Sequence, residues 1–320
     1  MTAAAVLAVL PYQLRAAELT PFKVGIAAPT VNMLPLWVAQ SSGLFRARGL
    51  NVEIFDTAGG SRGLAQVGSG KLQAMVVGLS AVLDANGKTG DYRLIASGAN
   101  TMSFRFFGAK GILGADRLRG RKVGISSFGS ESDSAATMAL KRLGLTRADV
   151  EIVEAGGTTA RLDALKSGKL AATALNEPAD TEAKTDGLPL LVDLKADLPW
   201  IFTAIAVDRN YLADHRQQAL AFLRAYIEGI DLALSDPARA RKILSDEFRE
   251  FSPAAVDAAY ADFRARVPRD AMPSRSGAEL MLRETGNGAK PLTDYIDATL
   301  LDDLRRDGFF DELMRRYRVR

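Results

Sequence analysis

Cysteine is absent from the 320-residue chain, and histidine occurs once, as His215. The first absence excludes thiol nucleophiles, disulfides and thiolate-bound zinc or iron–sulfur sites. The second excludes a multi-histidine metal site. No segment sustains the ~18 consecutive apolar residues that a membrane-spanning helix requires. Charge is nearly balanced, with 41 basic against 38 acidic residues and a net +3. No basic stripe with interleaved aromatics occurs, so nucleic acid is not an expected partner. Two motifs of catalysis also fail. Gly124-Ile125-Ser126-Ser127-Phe128 breaks the Gly-x-Ser-x-Gly elbow at its last position. Gly70-Lys71 is followed by Leu72, and Ala65 stands where a P-loop places its first glycine. His215 lies in a polar stretch and reads as a surface residue. No cofactor, metal or enzymatic activity is therefore expected.

What is present is an ordinary globular composition, 48% hydrophobic and 25% charged. The length is large for a single core and favours two lobes. Ala3 to Leu10 forms an apolar run ended by Pro11, and Ala16-Ala17 precede Glu18. This reads as the end of a secretory signal peptide cleaved near Ala17, and so as an exported protein.

An internal repeat organises the rest. Lys23-Val24-Gly25-Ile26 recurs as Lys122-Val123-Gly124-Ile125, and Val52-Glu53-Ile54 as Val150-Glu151-Ile152. Ala58-Gly59-Gly60-Ser61 recurs as Ala155-Gly156-Gly157-Thr158, and Ser69-Gly70-Lys71-Leu72 as Ser167-Gly168-Lys169-Leu170. The four matches keep their order at offsets of 99, 98, 97 and 98 residues. A repeat this long, present twice, indicates two similar lobes rather than a solenoid.

Each unit reads strand, helix, strand, helix, strand. In the first, the strands are 22–27, 51–55 and 74–78, and the helices 34–48 and 61–69. In the second, the strands are 122–126, 150–154 and 171–175, and the helices 132–143 and 159–167. Apolar strands alternating with amphipathic helices predict mostly parallel sheets with right-handed crossovers. After about Thr203 the pattern turns helical: 216–235, 237–248, 253–266 and 292–306. Leu220, Leu223, Ile227 and Ile230 mark a core-facing stripe. The chain then divides into a tail (1–19), a first lobe (20–103), a second lobe (104–204) and C-terminal helices completing the first lobe (205–320). It crosses between lobes near 100–105 and 200–206.

These residues resemble a known family. Lys23 to Ile26, Leu34-Pro35-Leu36-Trp37-Val38-Ala39, Gly43-Leu44-Phe45, Gly49 to Ile54, Gly59-Gly60-Ser61 and Ser69 to Leu72 follow a shared order. It is similar to that of the nitrate/sulfonate/taurine-type substrate-binding proteins of ABC importers. Leu118 to Gly124 and Asn176-Glu177-Pro178 extend the likeness, which covers roughly residues 22–318. Gln73 and Ala171 stand where members often carry Asp. The resemblance implies an α/β, two-lobed type II periplasmic-binding-protein fold. It also implies a monomeric periplasmic receptor that closes on a small-molecule ligand and docks on an ABC permease in the inner membrane. With no lipobox cysteine, a soluble form is expected. Other users of the fold are a ligand-sensing module for a membrane partner and enzymes acting on a small pyrimidine or aromatic acid. The desulfinase and thiamine-pyrimidine enzymes need cysteine or histidine patterns that this chain lacks.

Loops beyond the carboxyl ends of the strands carry the ligand in such sheets. In the first lobe these are Thr30 and Asn32, then Gly59, Gly60 and Ser61, then Gly78 and Ser80. Two glycines let backbone N–H groups approach a ligand closely at a helix start. In the second lobe, Ser126 to Ser132, with Ser127, Phe128, Ser130 and Glu131 as ligand candidates, form a strand-to-helix turn rich in hydroxyls, a cradle for an anion. Asn176 and Glu177 follow the third strand. Glu177 either pairs locally or accepts a hydrogen bond from the ligand. Helix termini contribute ~0.3–2 kcal/mol each, short of the ~8 kcal/mol of micromolar binding. A cation or an apolar wall must add to them. The candidate cations are Arg62 and Arg105, either of which also suits a surface ion pair. The candidate apolar residues are Phe128 and Trp200, with Trp200 reading equally as packing and Trp37 as core. The expected ligand is a sulfonate or carboxylate, with an aromatic or medium-sized body favoured over nitrate.

Overall fold

The computed structural model describes residues 18–195, 198–286 and 288–317. The expected signal-peptide segment, 1–17, lies outside them. Along the first unit run β1 (Thr20–Ile26), α1 (Leu34–Ser41), β2 (Leu50–Asp56), α2 (Gly60–Gly68), β3 (Ala74–Val77), α3 (Leu79–Asn86) and β4 (Tyr92–Thr101). The second contains β5 (Arg105–Gly108), β6 (Lys122–Ile125), α4 (Glu131–Arg142), β7 (Glu151–Glu154), α5 (Thr158–Lys166), β8 (Ala172–Leu175), α6 (Ala179–Thr185) and β9 (Leu190–Asp193). Then follow β10 (Pro199–Asp208), α7 (Arg209–Asp214), α8 (Arg216–Ser235), α9 (Pro237–Glu247), α10 (Pro253–Arg266), α11 (Arg275–Glu284), α12 (Thr299–Arg306) and α13 (Phe309–Tyr317).

Two five-stranded sheets result, ordered β2-β1-β3-β10-β4 and β7-β6-β8-β5-β9. In each, the first three strands are parallel. The fourth is antiparallel to both its neighbours. The parallel trios are the repeat that the sequence displays. The antiparallel fourth strands adjoin the interlobe crossings: β4 leads into β5, and β9 leads back into β10. Trp200 to Ala206 thus belongs to the first sheet.

Two sequence-predicted helices need correction. The span 34–48 is helical only to Ser41; Gly43 takes φ +71° and a 3-10 turn covers Arg46–Arg48. Glycine there accepts a conformation that other residues resist. The span 292–306 is a 3-10 turn at Leu292–Asp294 followed by α12. Asp297 interrupts it by accepting the N–H of Thr299 at 3.0 Å, a turn that competes with helix.

Of the C-terminal helices, α8 packs against β1 and α1. Phe222 of α8 stacks on Phe22 of β1 with centroids 4.7 Å apart, and on Phe45 at 5.3 Å. Gly229 lets α8 approach α1, since a Cβ there would lie 2.3 Å from the Pro35 carbonyl. Trp37 is core, edge-on to Phe248 at 5.7 Å. No helix among the described residues is long and apolar enough to cross a membrane.

Candidate ligand site between the lobes

The strand ends of both sheets face one cavity of about 70 Å³. The first lobe supplies Ala27, Ala28, Thr30 and Met33 after β1, Gly60 at the start of α2, and Val76, Val77 and Gly78 at the end of β3. The second supplies Ser126, Ser130, Glu131 and Ser132 around the start of α4, Thr158 and Arg161 of α5, and Asn176 after β8. Phe104 and Phe202, from the two crossing segments, meet edge to face at 4.9 Å and complete an apolar side with Thr203.

The polar side is built from short side chains that hold one another. Ser126, Ser130 and Ser132 form a triangle of hydroxyls with edges of 2.9–3.0 Å. Ser130 also caps α4 by accepting the N–H of Asp133. Thr158 donates to Asn176 Oδ1 at 3.1 Å.

Two ionisable groups line the cavity, neither in an ion pair among the described residues. Arg161 is 1% exposed. Its Nη1 donates to the Gly156 carbonyl at 2.7 Å and its Nη2 to the Ala174 carbonyl at 3.2 Å, while Nε–H has no partner. Burial pushes the guanidinium down to about 10, so it stays charged at neutral pH. Glu131 accepts the Ser80 N–H at 2.7 Å on one oxygen and the Trp200 Nε1–H at 2.6 Å on the other. Burial outweighs these hydrogen bonds and raises its carboxyl to about 7.

The lobes are closed on each other. Ser61 Oγ donates to the Phe128 carbonyl at 2.9 Å, and Ser134 Oγ to Ser80 Oγ at 3.0 Å. Arg62 pairs with Glu154 at 2.6 Å across the rim, and Glu154 accepts the Phe128 N–H at 3.0 Å. That N–H, with Arg62, holds the Glu154 carboxyl below its ordinary range. Gly59 adopts φ +147°, and a Cβ there would lie 2.8 Å from Ser127 Oγ.

Of the residues singled out from sequence, Thr30, Gly60, Gly78, Ser130, Glu131 and Asn176 line the cavity. Gly59, Ser61, Arg62, Ser80, Ser127 and Phe128 form the seam where the lobes meet, outside the cavity wall. Phe128 is half exposed there, 6.0 Å from the Arg147 guanidinium. Asn32 is buried in the 3-10 turn Val31–Met33 and is not in the wall. Trp200 is buried, its indole N–H committed to Glu131. Arg105 and Glu177 belong instead to a charged cluster beside the crossings. Arg105 binds Asp180 and Asp193, and Lys195 Nζ lies 3.0 Å from Asp180, 3.1 Å from Glu177 and 3.3 Å from Asp262. Burial, then the neighbouring Asp180, raises Glu177 to about 7. Thr158, Met33 and Arg161 line the cavity without having been singled out as ligand residues, while Ser126 and Ser132 join it from the two ends of the turn expected to cradle an anion. The signal for Arg161 was an arginine in an apolar helix stripe, beside Leu162 and Leu165. With α5 laid on α2, it occupies the position of Gly63, and Leu162 that of Leu64.

Residues 30–240, about two thirds of the chain, match the family described as NMT1/THI5 like. The chain belongs to that family. No curated protein matches it. Among solved structures, a protein from Bordetella bronchiseptica RB50 superposes with a TM-score of 0.81 at 21% identity, covering 90% of this chain and 98% of that one. The alkanesulfonate-binding protein SsuA from Xanthomonas axonopodis pv. citri, bound to MOPS, gives 0.70 at 18% identity, with coverage of 86% and 96%. The periplasmic nitrate-binding protein NrtA from Synechocystis PCC 6803 gives 0.70 at 15%, with coverage of 96% and 91%. This NMT1/THI5 like chain thus shares the type II periplasmic-binding-protein fold with them.

Proposed function

We propose that the protein is an exported, monomeric solute-binding protein that captures a small organic anion between its lobes and delivers it to an ABC importer. The observation that carries this reading is Arg161, a buried guanidinium facing the cavity with no carboxylate partner and one N–H unused. An uncompensated buried charge is costly unless something pairs with it. A carboxylate or sulfonate matches the guanidinium fork. The Asn176 side-chain amide adds a neutral donor, and the start of α5 adds a partial positive charge. Binding without turnover agrees with the side chains present. The cavity wall holds no cysteine or histidine, and its serines bond to one another rather than to a base.

Size favours a compact ligand over an aromatic one. A cavity of about 70 Å³ is well below the ~300–1,000 Å³ of pockets that take drug-sized ligands. The two aromatics expected to cradle a ring, Phe128 and Trp200, lie outside the wall. A thermal-shift and calorimetric screen of short carboxylates, sulfonates and uncharged analogues tests this. Stabilisation that grows with the concentration of a small acid, with the acid recovered unchanged, is the expected result. Stabilisation by uncharged compounds alone would overturn the reading.

A further inference from the structure

We infer, resting on that reading, that the ligand is amphoteric: its acid group pairs with Arg161 while a protonated amine meets Glu131 in the same cavity. These are the two ionisable side chains in the cavity wall, and they carry opposite charges. No ion pair joins them, although both face about 70 Å³ of space. Each is held by its own set of partners. The Gly156 and Ala174 carbonyls fix Arg161 within the second lobe. The Ser80 N–H and the Trp200 indole fix Glu131 from the first sheet and its helices. They are therefore kept apart by the fold and cannot neutralise each other by a rotamer change alone.

Glu131 accepts hydrogen bonds from the Ser80 backbone, the Ser80 side chain and the Trp200 indole. A carboxylate offers about four lone-pair sites, so acceptor capacity remains for a ligand donor. A simple anion would pair with Arg161 and leave Glu131 as an uncompensated neighbour of like sign in a space with a mostly apolar lining. It would be admitted only with a proton taken up by the carboxyl, which burial already raises to about 7. A solute bearing both charges satisfies both poles without that proton. The size of the cavity limits such a solute to a short backbone between its two groups.

Matched probes decide the matter: glycine against acetate, β-alanine against propionate, taurine against ethanesulfonate. Each is titrated calorimetrically into the full-length mature protein and into Glu131→Gln. In the wild-type protein, the amphoteric member of at least one pair should bind roughly tenfold or more tightly than its partner, the worth of one charge-assisted hydrogen bond. In Glu131→Gln that preference should collapse to a ratio near one. The readout is the ratio within a pair on one protein, so any general weakening of closure divides out. If the variant does not fold, the wild-type ratios suffice.

Equal binding within every pair would overturn the amphoteric ligand while leaving the anion reading in place. So would plain acids binding with measurable proton uptake across buffers of different ionisation enthalpy. Binding of acetamide or propionamide in preference to all six probes would overturn both. Failure of all three amphoteric probes at millimolar concentration would overturn the amphoteric ligand.

Discussion

At the scale of single residues, the molecule turns on a substitution between its two halves. Where α2 of the first lobe has Gly63, α5 of the second buries Arg161. An arginine without an acidic partner contributes nothing to the stability of the core that leucine would not exceed. Arg161→Leu, which removes the charge and leaves an apolar side chain beside Leu162 and Leu165, should therefore weaken anion binding by roughly a hundredfold or more. The ligand-free protein should melt at an equal or higher temperature. Calorimetric melting and titration of the same variant measure both. A melting temperature several degrees lower would assign the arginine a structural role and remove the basis of the functional reading. This residue was legible in the sequence only as an oddity, because nothing local distinguishes a ligand arginine from one paired in the fold. By contrast, Arg62 and Arg105 looked available but are consumed by Glu154, Asp180 and Asp193. Those pairings join segments 75–92 residues apart in the chain.

At the scale of elements, the parallel trio of each sheet was readable because the repeat prints the same strand and turn chemistry twice. The antiparallel strands β4, β5, β9 and β10 were not, since their apolar runs have no counterpart in the repeat and their partners are distant. The loops converging on the cavity were legible from the same trio: six of the residues they contributed stand in its wall. Which of their neighbours would instead form the seam depended on lobe closure, a property of no single loop. Gly78, between β3 and α3, shows how tight that seam is. Its backbone is ordinary, at φ −87° and ψ 170°, but a Cβ would come within 2.2–2.4 Å of the Glu131 side chain. Gly78→Ala should fold normally yet resist closure, lowering apparent affinity by about tenfold or more through the shrunken fraction of competent molecules. Small-angle scattering should show a larger radius of gyration with ligand than wild type does. Gly114→Ala, at a site with open space around it, is the control. An unchanged affinity in Gly78→Ala would mean that the lobes need not meet at this point.

At the scale of the whole molecule, the ionisable groups pull stability in opposite directions across pH. Burial raises Glu131 and Glu177 to about 7 and Asp231 to about 6. A carboxyl raised in the fold binds more proton folded than unfolded. Its contribution is complete below the ordinary carboxyl range and is lost as pH rises through the folded value. Others are held low. Against its burial, hydrogen bonds from Tyr317 and Arg48 depress Glu228, and against its burial the Arg105 hydrogen bond depresses Asp193. Their contribution is present above the ordinary range and is lost as pH falls. Stability of the ligand-free protein should therefore peak near pH 5 and decline toward pH 7–8 as well as toward acid. Denaturant unfolding at half-unit steps measures it. The difference between wild type and Glu131→Gln isolates one carboxyl, and that difference should move in favour of the variant between pH 5 and 7.5. A difference independent of pH would show that Glu131 keeps an ordinary proton affinity.

The placement of β10 has a consequence for how the chain is made. Residues 105–193 hold every strand of the second sheet in one continuous stretch, whereas the first sheet has β10 between β3 and β4. Until the ribosome has delivered residue 208, the amino-terminal half is a torso with a gap down its middle and β4 lacks a neighbour on that side. The part synthesised second is thus able to finish first. The first sheet is completed only after about two thirds of the polypeptide exists.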